Sequence, residues 1–306
     1  MKILIATEKP FAAAAVKGIR EIAEGAGHEL ALLEKYTEKS QFLEAVADAD
    51  ALIVRSDKVT AEVISAAANL KIVVRAGAGF DNLDLNACTE KGIVAMNTPG
   101  QNANAVAELA LAMMIFMSRN QFTPGTGMEL KGKKVGIQAY GNVGRLVADK
   151  AKALGMEVMA FDPFVPAEKM VEEGVIPAES LEQMYEQCHF ISLHIPAIPA
   201  TIGSINYDLV SRMPKGGCLV NTARKEVINE PELIKVLEDR PDLKYVTDVA
   251  ASCQAELDEK FPKQVFATPK KMGAETAEAN VNAGLAAARQ ICEYFATGCT
   301  KFQLNR

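Results

Sequence analysis

The sequence has few of the features that mark metal sites, nucleic-acid binders or membrane proteins. Six cysteines are scattered singly among 306 residues, with no C-x-x-C pair and no histidine at ligand spacing. The net charge is −6 and no basic run occurs, which argues against a nucleic-acid or membrane-surface partner. The longest apolar stretch, 105–117, contains Glu108 and is too short to span a bilayer. Since nothing resembles a signal peptide either, we expect a cytoplasmic protein with reduced cysteines and no metal.

The dinucleotide-binding motif G-x-G-x-x-G is also incomplete. In the stretch 136–144, GIQAYGNVG, Ala139 stands at the first glycine, and only Gly141 and Gly144 remain. A partial motif is weak by itself, and an ordinary strand-to-helix turn is the alternative. However, the motif follows an apolar run and opens an amphipathic segment, and a second apolar run ends in Asp162, about twenty residues beyond the glycines. This order predicts a dinucleotide-binding βαβ unit.

Each retained residue of this unit has a physical role. Gly141 would let the backbone approach a pyrophosphate, Gly144 would let the helix pack on the strand, and the helix N-terminus would offer free N–H groups. The Asp162 carboxylate would accept hydrogen bonds from both ribose hydroxyls and would repel a 2′-phosphate. We therefore predict NAD as the cofactor, rather than NADP.

Both halves of the chain alternate short apolar runs with helical segments, which predicts parallel sheets with helices on both faces. The fold class is therefore α/β, with two doubly wound domains of the Rossmann or flavodoxin type. Between them, 122–132 carries one proline and three glycines and is typical of a linker or a crossing arm. The predicted strands are 2–6, 29–33, 51–54, 72–74, 94–97, 134–137, 157–161, 190–193, 218–221, 245–248 and 265–267.

Seven ordered motifs make the sequence similar, over essentially its whole length, to the D-isomer-specific 2-hydroxyacid dehydrogenases. This resemblance implies a substrate-binding domain formed by 1–99 plus 284–306, an NAD-binding Rossmann domain at 100–283, and catalysis in the cleft between them. It also implies a homodimer formed through the cofactor domain. The motifs are RAGAGFDN (75–82), NTPGQN (97–102), GNVG (141–144) before Asp162, SLHIP (192–196), LVNTAR (219–224), TDV (247–249) and TPKKMGAET (268–276).

Within this family, the N-terminal half is most similar to the D-3-phosphoglycerate dehydrogenases. The similarity rests on IVRSDKVTAEVI (53–64) and on Arg75. It implies that Arg55 and Arg75 bind the phosphate side of the substrate, because guanidinium groups suit a dianion. It also places Ser56 and Gly77 at the substrate. The alternative is that both arginines are solvated cations at strand ends.

The resemblance implies NAD-dependent oxidation of D-3-phosphoglycerate to 3-phosphooxypyruvate, the first step of serine biosynthesis. One alternative is a reductase of unphosphorylated 2-oxoacids such as hydroxypyruvate or glyoxylate, and another is a catalytically silent NAD sensor. The sequence ends shortly after its last predicted helix, without the serine-sensing domain of longer family members. We therefore expect no serine feedback of that type.

The family's catalytic pair, a histidine held by a glutamate, is absent from the expected positions. Where the glutamate is expected stands Cys253, with Glu256 nearby on a loop of different length. The histidine position holds Lys271 when the alignment is fixed on the glycine at 273, and Lys270 when it is fixed on the proline at 269. A lysine-using subgroup of short phosphoglycerate dehydrogenases has this pattern. We prefer Lys271, because the turn after the base sets its direction.

Arg224 matches the family arginine that orients the carboxylate and carbonyl of the substrate. A partly desolvated lysine beside it would have a lowered pKa, and its neutral amine could accept the hydroxyl proton. None of the three histidines is expected to transfer protons, and His194 would support the cofactor loop. The resemblance further assigns cofactor contacts to Ala78, Asn142, Val143, Ile195, Thr201, Thr222, Ala223 and Asp248.

Overall fold

The computed structural model describes residues 1–305 and divides the chain into two compact units. The first unit contains Met1–Asn102 and the chain from Glu275 onward, and the second contains Ala103–Ala274. Each unit is an all-parallel sheet with helices on its faces, so the predicted α/β class is confirmed. In the described part of the chain, no helix is long and apolar enough to cross a membrane.

A five-stranded parallel sheet forms the centre of the first unit, with strand order β2-β1-β3-β4-β5. This is the order of flavodoxin-like sheets, in which ligands bind beyond the carboxyl ends of the strands. The strands are β1 (Lys2–Thr7), β2 (Glu29–Glu34), β3 (Ala51–Val54), β4 (Ile72–Arg75) and β5 (Val94–Asn97). The helices are α1 (Ala13–Gly25), α2 (Lys39–Val46), α3 (Ala61–Ala66), α4 (Leu85–Glu90) and, from the end of the chain, α12 (Ala277–Thr297).

The last helix, α12, belongs to the first unit along its whole length. It packs on α1 with little separation, since a Cβ added to Gly18 would lie 2.6 Å from Leu285 Cδ2. The side chain of Thr276 caps it by accepting a hydrogen bond from the Ala279 N–H at 3.1 Å. The domain boundary predicted at 283/284 would cut this continuous helix. In the structure, the boundary between the two units lies between residues 274 and 275.

The second unit has seven parallel strands in the order β12-β11-β10-β9-β6-β7-β8. The order reverses between β6 and β9, which creates the crevice where doubly wound sheets bind dinucleotides. The strands are β6 (Lys134–Gln138), β7 (Glu157–Phe161), β8 (Ile176–Pro177), β9 (Phe190–Leu193), β10 (Cys218–Asn221), β11 (Lys244–Thr247) and β12 (Val265–Ala267). The α-helices are α5 (Ala103–Ser118), α6 (Asn142–Ala153), α7 (Ala167–Glu172), α8 (Leu181–Gln187), α9 (Tyr207–Ser211), α10 (Glu230–Asp239) and α11 (Gln254–Lys260).

The apolar patterns correctly predicted the positions of most elements. The exception is β8, which has only two residues, too few to form a pattern. The glycine-rich stretch 122–132, expected to be a linker, lies inside the second unit. It is fixed there because the N–H of Met128 donates to the carbonyl of Ser118 at 2.8 Å.

Candidate active site

The glycine turn joins β6 to α6 beside the crevice of the second sheet. Gly141 is the N-cap of α6 and makes no side-chain capping bond, so no side chain of its own covers the first N–H groups of the helix. A Cβ added to Gly141 would meet nothing within 4 Å, whereas one added to Gly144 would lie 2.3 Å from the carbonyl oxygen of Ala139. Gly141 therefore leaves open space before the helix N-terminus, and Gly144 permits close packing. These residues, with Asn142 and Val143 in the first turn, fit a pyrophosphate.

Asp162 follows β7 and faces the same turn. Its Oδ2 accepts a hydrogen bond from the N–H of Tyr140 at 2.8 Å, and its Oδ1 accepts one from the N–H of Phe164 at 2.9 Å. A carboxylate has about four acceptor positions, so both oxygens can still accept from ribose hydroxyls. Asp162 therefore has a second role besides its predicted contact with the ribose, because it also holds the glycine turn in place. Its spacing in the sequence did not reveal this role.

The loop after β10 carries Thr222, Ala223 and Arg224. Asn221 shapes it, because its Oδ1 accepts from the Ala223 N–H and its Nδ2 donates to the Arg224 carbonyl, each at 3.0 Å. Thr222 is 7% exposed, and its buried Oγ1 has no hydrogen-bond partner among the described residues. A buried hydroxyl without a partner is costly, so this one fits a contact to a bound cofactor. Lys225, directly after this loop, begins a 3₁₀ helix, Lys225–Val227.

Asp248 lies at the end of β11 and is 1% exposed. It accepts hydrogen bonds from Thr268 Oγ1 at 2.8 Å and from the N–H groups of Met272 and Gly273, each at 2.7 Å. A Cβ on Gly273 would lie 2.9 Å from Asp248 Oδ2, so only glycine fits there without a shift. Asp248 therefore fixes the turn that directly follows Lys271, a role the sequence did not predict. Its predicted contact with the cofactor stays a prediction.

Lys271 and its neighbour Lys270 are both exposed. The partial desolvation predicted for Lys271 is therefore not present in the protein alone, and a bound cofactor and substrate would have to provide it. What the protein does provide is a fixed backbone position, through the Asp248 contacts to the next two residues.

Cys253 and Glu256 do not supply a substitute for the missing glutamate. Burial and the nearby Glu230 carboxylate raise the pKa of Cys253 to about 11, so its thiol is neutral near pH 7. Glu256 lies on α11 and forms an ion pair of 2.8 Å with Lys260, one turn further along the helix. Both residues are thus engaged locally.

The loop after β9 contains His194, Ile195 and Thr201. Desolvation lowers the pKa of His194 to about 3, which keeps the ring neutral, and its Nε2 lies 2.9 Å from Ser192 Oγ. Ile195 is buried, and Thr201 Oγ1 closes the loop by accepting from the Ile198 N–H at 3.0 Å. An imidazole that stays neutral does not serve as a general acid near pH 7, which agrees with the supporting role expected for His194.

In the first unit, Arg75 ends β4 and lies against the backbone of Gly77. A Cβ at Gly77 would lie 1.5 Å from Arg75 Nη1, and the φ of +149° at this residue also favours glycine. The Gly77 N–H donates to Thr98 Oγ1 at 2.7 Å. This N–H is therefore already engaged within the first unit, and the predicted place of Gly77 at the substrate stays a prediction. The absence of a side chain at Gly77 makes room for the Arg75 guanidinium.

Arg55 and Ser56 follow β3, and Arg55 is joined to Arg75, whose Nε donates to the Arg55 carbonyl at 3.1 Å. The Arg55 guanidinium donates through Nη1 to two backbone carbonyls, those of residues 9 and 10, and through Nη2 to Asn280 Oδ1 at 2.7 Å. Arginine has five N–H donors, so part of the fork is still available to a ligand. Ala78 lies next to this pair, and its carbonyl accepts from Asn97 Nδ2 at 2.6 Å.

Sequence reasoning missed the residues that hold these groups in place. The main examples are Thr98, Asn221, Thr268 and Asn280. Three of them lie inside the motifs used above, where the signal that could have found them is a polar side chain beside a buried strand end, and the fourth, Asn280, lies on α12.

Comparison with known proteins gives consistent matches. The family model for the D-isomer specific 2-hydroxyacid dehydrogenase NAD binding domain matches residues 103–270. Among solved structures, an NAD⁺-bound 3-phosphoglycerate dehydrogenase of Entamoeba histolytica is 50% identical, with a TM-score of 0.88 over 100% of this chain and 99% of that one.

Two curated relatives differ in length. The D-3-phosphoglycerate dehydrogenase of Methanocaldococcus jannaschii is 36% identical over 275 residues, which are 83% of this chain and 51% of that protein. The hydroxypyruvate reductase of Thermotoga maritima is 35% identical over 286 residues, 86% of this chain and 90% of that protein. The chain thus spans about half of the first relative and most of the second.

Proposed function

Because this chain belongs to the D-isomer specific 2-hydroxyacid dehydrogenase family of NAD-dependent enzymes, we propose that it oxidises D-3-phosphoglycerate to 3-phosphooxypyruvate, the first step of serine biosynthesis. The observation that carries the choice of substrate is the joined pair of arginines, Arg55 and Arg75, at neighbouring strand ends of the first unit. Two guanidinium groups suit a phosphate dianion, and an unphosphorylated hydroxyacid would not require both. Ser56, exposed beside them, adds a hydroxyl donor.

NAD is the cofactor, and the second unit contains the residues that would hold it. The N–H groups at the start of α6 would bind the pyrophosphate, Asp162 the adenine ribose, and Thr222 Oγ1 a polar group of the cofactor. When bound, NAD supplies the nicotinamide carbon that accepts the hydride.

The remaining chemistry falls to Arg224 and Lys271. The Arg224 guanidinium would bind the substrate carboxylate and polarise the C2 oxygen as it becomes a carbonyl. Neutral Lys271 Nζ would take the hydroxyl proton as the C2–H bond breaks, which leaves a ketone and a charged ammonium. Asp248 would position Lys271 by holding the two following N–H groups.

A second candidate is reduction of hydroxypyruvate or a similar unphosphorylated 2-oxoacid. It is favoured by the Thermotoga maritima hydroxypyruvate reductase, of which this chain covers 90%. The two candidates use the same catalytic residues, and they differ in whether a phosphate is bound at the first unit.

The ratio of kcat/KM for D-3-phosphoglycerate and D-glycerate separates the two candidates. We expect the phosphate ester to be preferred by roughly 10²-fold or more, because a site built for a polar group discriminates strongly against a substrate that lacks it. Arg75→Met should lower kcat/KM for the ester while leaving that for glycerate nearly unchanged. Equal kcat/KM values for the two acids in the unmodified enzyme would favour the reductase.

We also propose a homodimer formed through α5 and the turn that follows it. Two apolar side chains there are exposed, Ile115 at 38% and Phe122 at 70%. Phe122 is held edge-on against Phe116, with ring centroids 5.1 Å apart, so it stands in a fixed position rather than folding into the core. Light scattering after gel filtration should give twice the chain mass, and Phe122→Ser should shift the equilibrium toward the monomer. A monomer at micromolar concentration would exclude this interface.

A further inference from the structure

The turn that replaces the first motif glycine has a strained backbone. Ala139 has a φ of +76°, in the left-handed region, where the Cβ of an L-residue comes too close to the following carbonyl. Glycine adopts this conformation without that contact, and it is the residue the motif normally has here. A strained residue persists only where its surroundings over-determine its conformation. Something near Ala139 must therefore hold the turn.

The adjacent residue, Tyr140, is held at three points. Its side chain is fully buried, and its N–H donates to Asp162 Oδ2 at 2.8 Å. Its hydroxyl donates to Glu173 Oε2, also at 2.8 Å. The Arg145 guanidinium lies over the ring, with Cζ 4.6 Å from the centroid. Tyr140 is thus fixed through its backbone, its ring face and its hydroxyl.

Glu173 connects these contacts. It follows α7, and its carboxylate accepts from the Tyr140 hydroxyl with one oxygen and pairs with Arg145 through the other. The hydrogen bond from Tyr140 and the charge of Arg145 lower the pKa of Glu173, so it is ionised near neutral pH. The backbone carbonyl of Glu173 is fixed in turn by Lys152 Nζ. The acceptor is thus as well anchored as the tyrosine.

Tyr140 and Arg145 flank the segment that would bind the pyrophosphate. Tyr140 immediately precedes Gly141, and Arg145 immediately follows Gly144. We propose that Tyr140, Glu173 and Arg145 act together as a positioning group that holds the strained turn at Ala139 in its NAD-binding shape. The group compensates for the missing glycine, and so it determines cofactor affinity without touching the cofactor.

A purely structural role would give a different pattern of effects. If Tyr140 only filled the core, loss of its hydroxyl would lower stability without a specific effect on NAD. If the hydroxyl holds the strained turn, its loss weakens NAD binding, and glycine at 139 removes the need for it, because glycine adopts the left-handed backbone unaided. The decisive comparison is therefore between Tyr140→Phe and the double variant Ala139→Gly/Tyr140→Phe.

We would measure the Kd of NAD by calorimetry on the whole protein, without hydroxyacid. Tyr140→Phe should raise Kd about five- to tenfold, an effect the size of one ordinary hydrogen bond, because only part of the lost interaction is transmitted to the cofactor. The double variant should return to within about twofold of Ala139→Gly alone, allowing for ordinary additivity error. Tyr207→Phe is the matched control, because that hydroxyl also donates to a carboxylate of the second unit, Asp239, at 2.9 Å. Its Kd should not change.

Two results would overturn the proposal: an unchanged Kd in Tyr140→Phe, or a raised Kd that glycine at 139 does not restore. If Tyr140→Phe fails to fold, Glu173→Gln provides the same comparison, since glutamine keeps an acceptor for the tyrosine but loses the ion pair with Arg145. The measurement is independent of turnover. It therefore remains valid if the enzyme proves to prefer a different hydroxyacid.

Discussion

Replacing Lys271 with alanine should lower kcat for D-3-phosphoglycerate oxidation by a factor of about 10² to 10⁴, the usual contribution of a general base. The Kd of NAD should stay within about twofold, because the Asp248 contacts involve backbone N–H groups of residues 272 and 273 and do not depend on the lysine side chain. Steady-state kinetics and calorimetry measure the two quantities separately. A large fall in NAD affinity would instead indicate a structural role.

Lys270→Ala is the matched control for this prediction. Lys270 is the same residue type, adjacent and equally exposed, but it is one position further from the turn that Asp248 fixes. We expect only a small change in kcat. If Lys270→Ala loses the activity and Lys271→Ala keeps it, the proline at 269 is the correct anchor for comparison with the family.

The pH profile tests the chemistry of Lys271 directly. Only a neutral amine accepts a proton, so kcat/KM for oxidation should rise as the pH increases and the ammonium form is depleted. Lys271→Arg should be nearly inactive over the same range, because guanidinium does not deprotonate in proteins. A profile that is flat from neutral to alkaline pH in the unmodified enzyme would exclude lysine as the base.

The fold was accessible from the sequence because both sheets are parallel and buried on both faces. Buried parallel strands appear as short continuous apolar runs, as in β3 and β10, where every residue is buried. The division between units was less accessible. The alanine-rich helix α12 carries no internal signal for where a domain ends, and its packing on α1, β3 and β4 assigns it wholly to the first unit.

The cofactor half of the site was predictable because its parts lie within one βαβ unit. Gly141, Gly144 and Asp162 are close in sequence, and their spacing carries the geometry. The side chains that hold the glycine turn and the substrate residues in place are far from them in sequence. Glu173, which binds Tyr140, and Asn280, which binds Arg55, are examples. Such pairs depend on the tertiary fold, and a single sequence has no spacing that reveals them.

Alanine substitutions at Gly144 and at Gly141 should have different effects on protein stability and on cofactor binding. In Gly144→Ala the new Cβ would lie 2.3 Å from the Ala139 carbonyl oxygen and 2.9 Å from Ile137 Cγ2. Because the nearer atom is backbone, the turn itself has to move. We expect the free energy of unfolding to fall by about 1–3 kcal/mol, as in overpacked cores, with NAD affinity falling as well. Urea unfolding followed by fluorescence or circular dichroism measures the first effect, and calorimetry the second.

Gly141→Ala should have the opposite pattern. Its φ of −87° is negative, as alanine requires, its ψ of −152° lies at the border of the extended region, and the added Cβ meets no protein atom within 4 Å. Stability should therefore change by no more than about 0.5 kcal/mol. The methyl group nonetheless takes space that the pyrophosphate needs, so Kd for NAD should rise by about tenfold or more. Gly25→Ala, also in open space but in the first unit, should leave the Kd for NAD unchanged. If Gly141→Ala binds NAD normally, the pyrophosphate does not approach at Gly141, and the assignment of this turn to the cofactor fails even though the fold stands.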